Sequence, residues 1–126
     1  MEVLEKYFRL FDEARTNTIA REELNNLFTR DICFVLNGVE KNGIDQWEIF
    51  LDLIFKNNLD IKHMYEGWNF IEEKNLYETR WAVCGKRKDK SVYTQTGKDI
   101  ASLDENGKIK YLENVPDNTD LFERYK

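Results

Sequence analysis

Basic residues are in the minority in this chain. Nineteen Lys and Arg stand against 24 Asp and Glu over 126 residues, a formal net charge of −5 with a pI near 5.0. Nucleic acid and anionic membrane both recruit clustered Lys and Arg, so neither is an expected partner. The one basic cluster, Lys86-Arg87-Lys88 with Lys90, is interrupted by Asp89 and reads as a solvated hairpin tip. Long apolar runs are missing too: the longest, Ile32 to Leu36, is far too short to span a bilayer. Residues 1–15 are amphipathic, so no secretory signal is expected and a cytoplasmic location is. The two cysteines, Cys33 and Cys84, lack metal or redox spacing and sit in apolar strand contexts, which predicts two buried free thiols in a reducing compartment. A single histidine, His63, holds no metal without partners, and Asp60 is the only candidate close to it in sequence; neither metal nor cofactor is expected. There is no Gly-rich phosphate loop, and no Ser or Cys stands in a recognisable nucleophile setting. Internal repeats and low-complexity segments are likewise lacking.

Aromatic residues are plentiful. Eight Phe, six Tyr and three Trp make up 13% of the chain, a supply suited to a core that also lines a hollow. The length fits one domain over 1–126, large enough to bury a core without staples.

The pattern runs helices first, sheet second. Val3, Leu4, Tyr7, Phe8, Phe11 and Ala14 recur at helical spacing and predict a helix over about 2–15. Asn17 or Thr18 is placed to cap a second helix, with Leu24, Leu27 and Phe28 as its buried stripe and its end near Arg30. Ile32 to Leu36 reads as a short strand closed by Asn37-Gly38. A third helix opens at Asp45, with Glu48 three residues on as a capping box, Ile44 and Ile49 as a staple, and Trp47, Leu51, Ile54 and Phe55 inward. Four strands follow: about 62–71, turned by Glu72 to Asn75; 76–84, turned by Gly85 to Lys90; and a hairpin over 91–113 around Asn106-Gly107. Tyr77, Thr79, Trp81 and Val83 share one face of the second strand, opposite Glu78 and Arg80. Tyr93, Gln95, Gly97, Asp99, Ala101 and Leu103 share a face of the third. A bulge in the turn would flip the last strand, so either Tyr111 and Glu113 or Leu112 and Asn114 point inward. A polar tail occupies about 117–126, with Leu121 and Phe122 available to dock it.

Two stretches mimic a calcium-binding loop. Ser102, Asp104, Asn106, Gly107, Ile109 and Glu113 fall at loop positions one, three, five, six, eight and twelve, and Asp12, Ile19 and Glu23 at one, eight and twelve. The first lacks the leading Asp; the second has Ala14 and Asn17 where a ligand and a glycine belong. Calcium binding is not expected.

The order of elements resembles the nuclear transport factor 2-like superfamily, closest to its SnoaL-like and ketosteroid-isomerase-like branches. "LFTRDICFVLNG" is similar to that family's second helix and first strand, "NGIDQWEIFLDLIF" to its third helix, and "GKDIASLDENGKI" to its penultimate strand and turn. The resemblance covers about residues 2–115. It implies an α+β fold in which three N-terminal helices are cupped by a curved, mainly antiparallel sheet, an apolar pocket, and a homodimer formed through the sheet. The family contains isomerases, cyclases, dehydratases, epoxide hydrolases and non-catalytic modules, so fold does not choose the function. By position in the matched segments, Tyr7 and Asp99 fall where ketosteroid isomerases keep an oxyanion-hole Tyr and protonated Asp. The catalytic base does not carry over: its place is taken by Leu36, and no carboxylate occurs between Ile32 and Val39.

Two readings follow. In the first, the protein binds a small, largely apolar molecule among Tyr7, Trp47, Trp81 and Gln95, and His63 and Asp99 serve isomerase-, cyclase- or dehydratase-like acid/base chemistry. In the second it is a non-catalytic dimeric interaction module whose pocket is vestigial. For each residue there is a structural alternative: Tyr7 as packing, His63 as a satisfied strand-start residue, Asp99 as an exposed carboxylate, and the tryptophans as core.

Overall fold

The computed structural model describes residues 2–118. Its elements are α1 (Glu2–Ala14), α2 (Thr18–Asn25), β1 (Phe28–Leu36), β2 (Val39–Asn42), α3 (Ile44–Asn57), β3 (Asn58–Tyr65), β4 (Asn69–Ile71), a 3-10 turn (Glu72–Lys74), β5 (Leu76–Arg87), β6 (Val92–Leu103) and β7 (Ile109–Pro116). The strands form one curved sheet in the order β2-β1-β7-β6-β5-β3, with β4 also on β5. Every pairing is antiparallel except β1 with β7. This is the expected α+β architecture, with three helices against a mainly antiparallel sheet. The predicted docking of Leu121 and Phe122 lies outside the described residues.

α1 buries the predicted stripe of Leu4, Tyr7, Phe8, Phe11 and Ala14. Asn17 caps α2, its Oδ1 accepting from the backbone N–H of Ile19 at 2.9 Å and Ala20 at 3.2 Å. That helix stops at Asn25 rather than near Arg30. Leu27 and Phe28 leave it because β7 offers a ladder: the Ile109 N–H donates to the Leu27 carbonyl at 2.8 Å, and Phe28 pairs with Ile109. Tertiary pairing overrides the helical spacing, and β1 is nine residues long. Asn37-Gly38 does more than close β1. Both residues have positive φ, 50° and 82°, and they turn the chain into β2, which its polar composition concealed.

The start of α3 also differs from expectation. Gly43, at φ 96°, precedes the first helical residue Ile44, and Asp45 lies inside the first turn, so the predicted capping box does not form. Glu48 instead accepts from Asn25 Nδ2 at 3.1 Å and lies 3.9 Å from Arg21. The predicted strand over 62–71 is split. β3 begins at Asn58, and the chain breaks from it at Glu66 to Trp68, where Gly67 has φ 127° and its N–H donates to Thr79 Oγ1. β5 runs on to Arg87, three residues past its expected end, so the hairpin tip is shorter than expected.

The final hairpin settles which face of β7 points inward. Leu103 pairs with Ile109 but Ser102 with Tyr111, so Lys110 is an extra residue and the face flips there. Ile109 and Leu112 are buried, and Asn114 joins them on the inner side. Asp104 holds the turn, its Oδ1 accepting from the N–H groups of Asn106 and Lys108 at 2.9 and 2.8 Å. The carboxylate that mimicked a calcium ligand is thus committed to the backbone. Of the two thiols expected to be buried, Cys33 is half-buried and Cys84 is exposed, because Cys84 points to the outer face of β5. Both are free.

β5, β6 and β7 crowd together at Gly97. A Cβ there would stand 2.5 Å from Trp81 Cζ2, 2.6 Å from the Val115 carbonyl oxygen and 2.9 Å from Pro116 Cα. Two of these are backbone atoms and cannot swing aside. Gly97→Ala is expected to destabilise the fold by about 1–3 kcal/mol, read as a lower urea midpoint at unchanged slope.

Candidate functional site

A cavity of about 50 Å³ lies between α1, α3 and the inner face of the sheet. That is space for a few waters or a small chemical group. Its walls are mostly aromatic and aliphatic, and among the described residues no Lys or Arg lines it. The polar groups on the walls come from Tyr7, Trp47, His63, Trp81, Tyr93, Asp99 and Asn114. Of the six residues singled out from the sequence, Tyr7, Trp47, His63, Trp81 and Asp99 converge here. Gln95 does not; it stands further along β6, beside a shallow groove with Thr96 and Asp117. Leu36 is also a wall residue, so the position where the resemblance would put a base is apolar.

Asp99 is 1% exposed, which makes it an inward residue rather than an exposed carboxylate. It is positioned by alternation along β6 and by its cross-strand partners, Thr79 and Asn114. Trp81 Nε1–H donates to its Oδ1 at 3.0 Å, and the Asn114 side chain also hydrogen-bonds it. Burial pushes its pKa up to about 8, and those two hydrogen bonds offset only part of the rise. At pH 7 Asp99 is mainly a neutral acid and a proton donor. Tyr7, buried on α1, has its hydroxyl pushed well up, first by burial and then by Asp99 and Asp12. Phenolate formation at Tyr7 is therefore disfavoured.

His63 has a partner that no sequence spacing revealed. Asp12 of α1 grips it twice: the His63 backbone N–H donates to Oδ2 at 2.7 Å, and the ring Nδ1 lies 2.7 Å from Oδ1. The ring rests against Phe8 and Phe11, with centroids 5.3 and 5.2 Å away. In the neutral tautomer that carries its proton on Nδ1, toward this carboxylate, Nε2 is the lone-pair nitrogen. Asp12 and His63 are 51 positions apart, so only the packing of α1 on β3 joins them. The available signal was an acid one turn after Phe8, at the edge of an apolar stripe.

The tryptophans divide. Trp81 is tied to Asp99. Trp47 is 1% exposed, and its Nε1 has no partner. Trp68 stacks on Phe8 outside the cavity.

No protein-family model and no curated protein matches the sequence. Solved structures do match. An NTF2-like protein of unknown function from Exiguobacterium sp. 255-15 is 54% identical, over 92% of this chain and 98% of that one, with a TM-score of 0.90. A protein from Jannaschia sp. CCS1 described as a candidate SnoaL-like polyketide cyclase is 14% identical, over 98% and 90% of the two chains, with a TM-score of 0.76. A Mycobacterium tuberculosis protein in complex with estradiol-17β-hemisuccinate is 12% identical, over 89% and 88%, with a TM-score of 0.73. The latter two likenesses are of fold alone.

Proposed function

The chain belongs to the NTF2-like superfamily, and on that premise we propose that its cavity binds a small, largely apolar molecule and performs acid/base chemistry on it. The carrying observation is the double contact of Asp12 with His63. A carboxylate that fixes one ring nitrogen leaves the other poised to take a proton, and it stabilises the imidazolium that results. His63 is the general base in this reading and supplies what Leu36 lacks. Asp99, held neutral by burial, is the acid that donates a hydrogen bond to developing negative charge, with Tyr7 beside it. Trp47 and Trp81 form walls, and Gln95 has no part. The reaction class is proton transfer next to a carbonyl, of the kind that isomerases, cyclases and dehydratases share. No step calls for a metal or cofactor.

Exchange of the α-protons of cyclopentanone for deuterium, followed by NMR in D2O, tests this reading. The protein is expected to accelerate exchange over buffer, and His63→Ala to remove the acceleration. Exchange no faster than buffer would sink the catalytic reading.

The small cavity favours a second reading, in which the wall aromatics largely fill the interior and the protein acts as a non-catalytic dimeric module. In either reading we expect a homodimer through the outer face of the sheet and a cytoplasmic protein. Sedimentation at micromolar concentration checks the first expectation, and a monomer there would refute it. No helix among the described residues is long and apolar enough to cross a membrane.

A further inference from the structure

Asn114 lines the cavity from β7, and its Oδ1 is buried without a partner. The same amide hydrogen-bonds the Asp99 carboxyl directly across the ladder. Oδ1 lacks a partner, so the amide nitrogen makes that bond. This orientation suits an ionised Asp99, which only accepts. A neutral Asp99 carries a proton that itself needs an acceptor, and turning the amide about its last bond supplies one: Asp99 O–H then donates to Oδ1, and the NH2 group faces the cavity. The turn also satisfies the buried oxygen, whose isolation is otherwise unfavourable. Trp81 Nε1–H occupies the other side of the carboxyl in both states.

We propose that Asn114 sets the specificity of the cavity through a proton-dependent turn of its amide. With Asp99 neutral the amide presents donors and selects a neutral ligand bearing an acceptor oxygen; with Asp99 ionised it presents its carbonyl and selects a hydrogen-bond donor. The inference deepens the binding reading above and rests on it for the ligand class, though the turn itself does not require a ligand. Trp47 Nε1–H, also unpartnered and on a wall residue, adds a second donor in the neutral state. The absence of Lys and Arg from the walls disfavours an anion.

The titratable groups facing Asp99 come from three elements. α1 presents Tyr7, with Asp12 behind it; β3 presents His63; β6 presents Tyr93. β1, α3, β5 and β7 face it with uncharged side chains. Burial raises the pKa of Asp99 to about 8, which puts the transition within reach of ordinary buffers.

Two small neutral rings test the proposal. Cyclopentanone only accepts hydrogen bonds, and pyrrole donates through N–H. From pH 6 to 10 cyclopentanone binding is expected to weaken at least about tenfold and pyrrole binding to strengthen, about a midpoint near 8. Asp99→Asn and Asn114→Leu should each flatten both trends. Affinities that move together, or trends that persist in Asp99→Asn, would overturn it. In the ligand-free protein, the side-chain 15N–1H signals of Asn114 should shift with the same midpoint. A pH-independent Asn114 amide overturns the proposal even where both rings bind; a titrating amide with neither ring bound at millimolar concentration preserves the turn and sinks the binding reading together with the ligand class.

Discussion

Asp99→Asn is expected to make the protein more stable, and increasingly so as pH rises. The carboxyl has an ordinary value of 3.8 and is raised to about 8 in the folded protein. Between these values the unfolded chain releases the proton and the folded chain keeps it, so the native state binds more protons and wild-type stability falls with rising pH. The contribution is fully present below pH 4 and lost by pH 8. At about 1.4 kcal/mol per pH unit the loss sums to roughly 6 kcal/mol. Asparagine has nearly the same shape, keeps an acceptor for Trp81 Nε1–H, and does not titrate. Urea unfolding at pH 4.5, 6, 7 and 8 should show a gap between variant and wild type that widens at each step. A constant gap would mean that Asp99 ionises normally in the fold. A group held at such expense to stability, in a cavity wall that pairs it with an indole and an amide, has the perturbed ionisation that active sites often contain.

Asp12→Ala has the second large effect. It removes both contacts to His63 and leaves a half-buried backbone N–H and an unoriented imidazole. Loss of two carboxylate hydrogen bonds is expected to destabilise the fold by about 1–3 kcal/mol. On the proposed chemistry, cyclopentanone exchange should drop about a hundredfold, because a ring free to rotate or change tautomer is a poor base. Asp12→Asn separates the two consequences. Its oxygen still accepts from the His63 N–H, so stability should largely return while exchange stays low. If exchange also returns, the carboxylate is structural and the acid/base role of His63 fails.

Much of the architecture was legible because it rests on local pattern. The stripe on α1, the Asn17 cap and the alternation along β5 and β6 each carry their own signal, and each appears in the structure; the hairpin signalled by Asn106-Gly107 also forms, though its turn is a longer loop from Asp104 to Lys108. Misreadings cluster where distant segments decide. Leu27 and Phe28 look helical until Ile109 pairs with them. Gly43 displaces Asp45 as the start of α3, because its N–H is drawn to the Ile32 carbonyl at 2.8 Å. The site divides in the same way. Asp99, Tyr7 and the tryptophans Trp47 and Trp81 were visible through strand parity, helical phase and family resemblance. Asp12 was not, since nothing in the sequence states which helix flank meets β3. Gln95 had the right parity but lies too far along β6, and parity carries no information about depth.

The lone parallel pair has a consequence for how the chain acquires its shape during synthesis. β1 emerges early and β2 promptly covers one of its edges, but the other waits for β7, the last of the described strands to be made. Meanwhile Ile32, Phe34 and Leu36 sit on a strand with an open edge and no sheet beside it, the circumstance in which nascent chains associate with one another. Closure also joins segments far apart in the chain, which slows folding. Chaperone dependence and loss to aggregates should therefore concentrate in the interval before Ile109 is made, and slower translation upstream of that point would be detrimental rather than helpful.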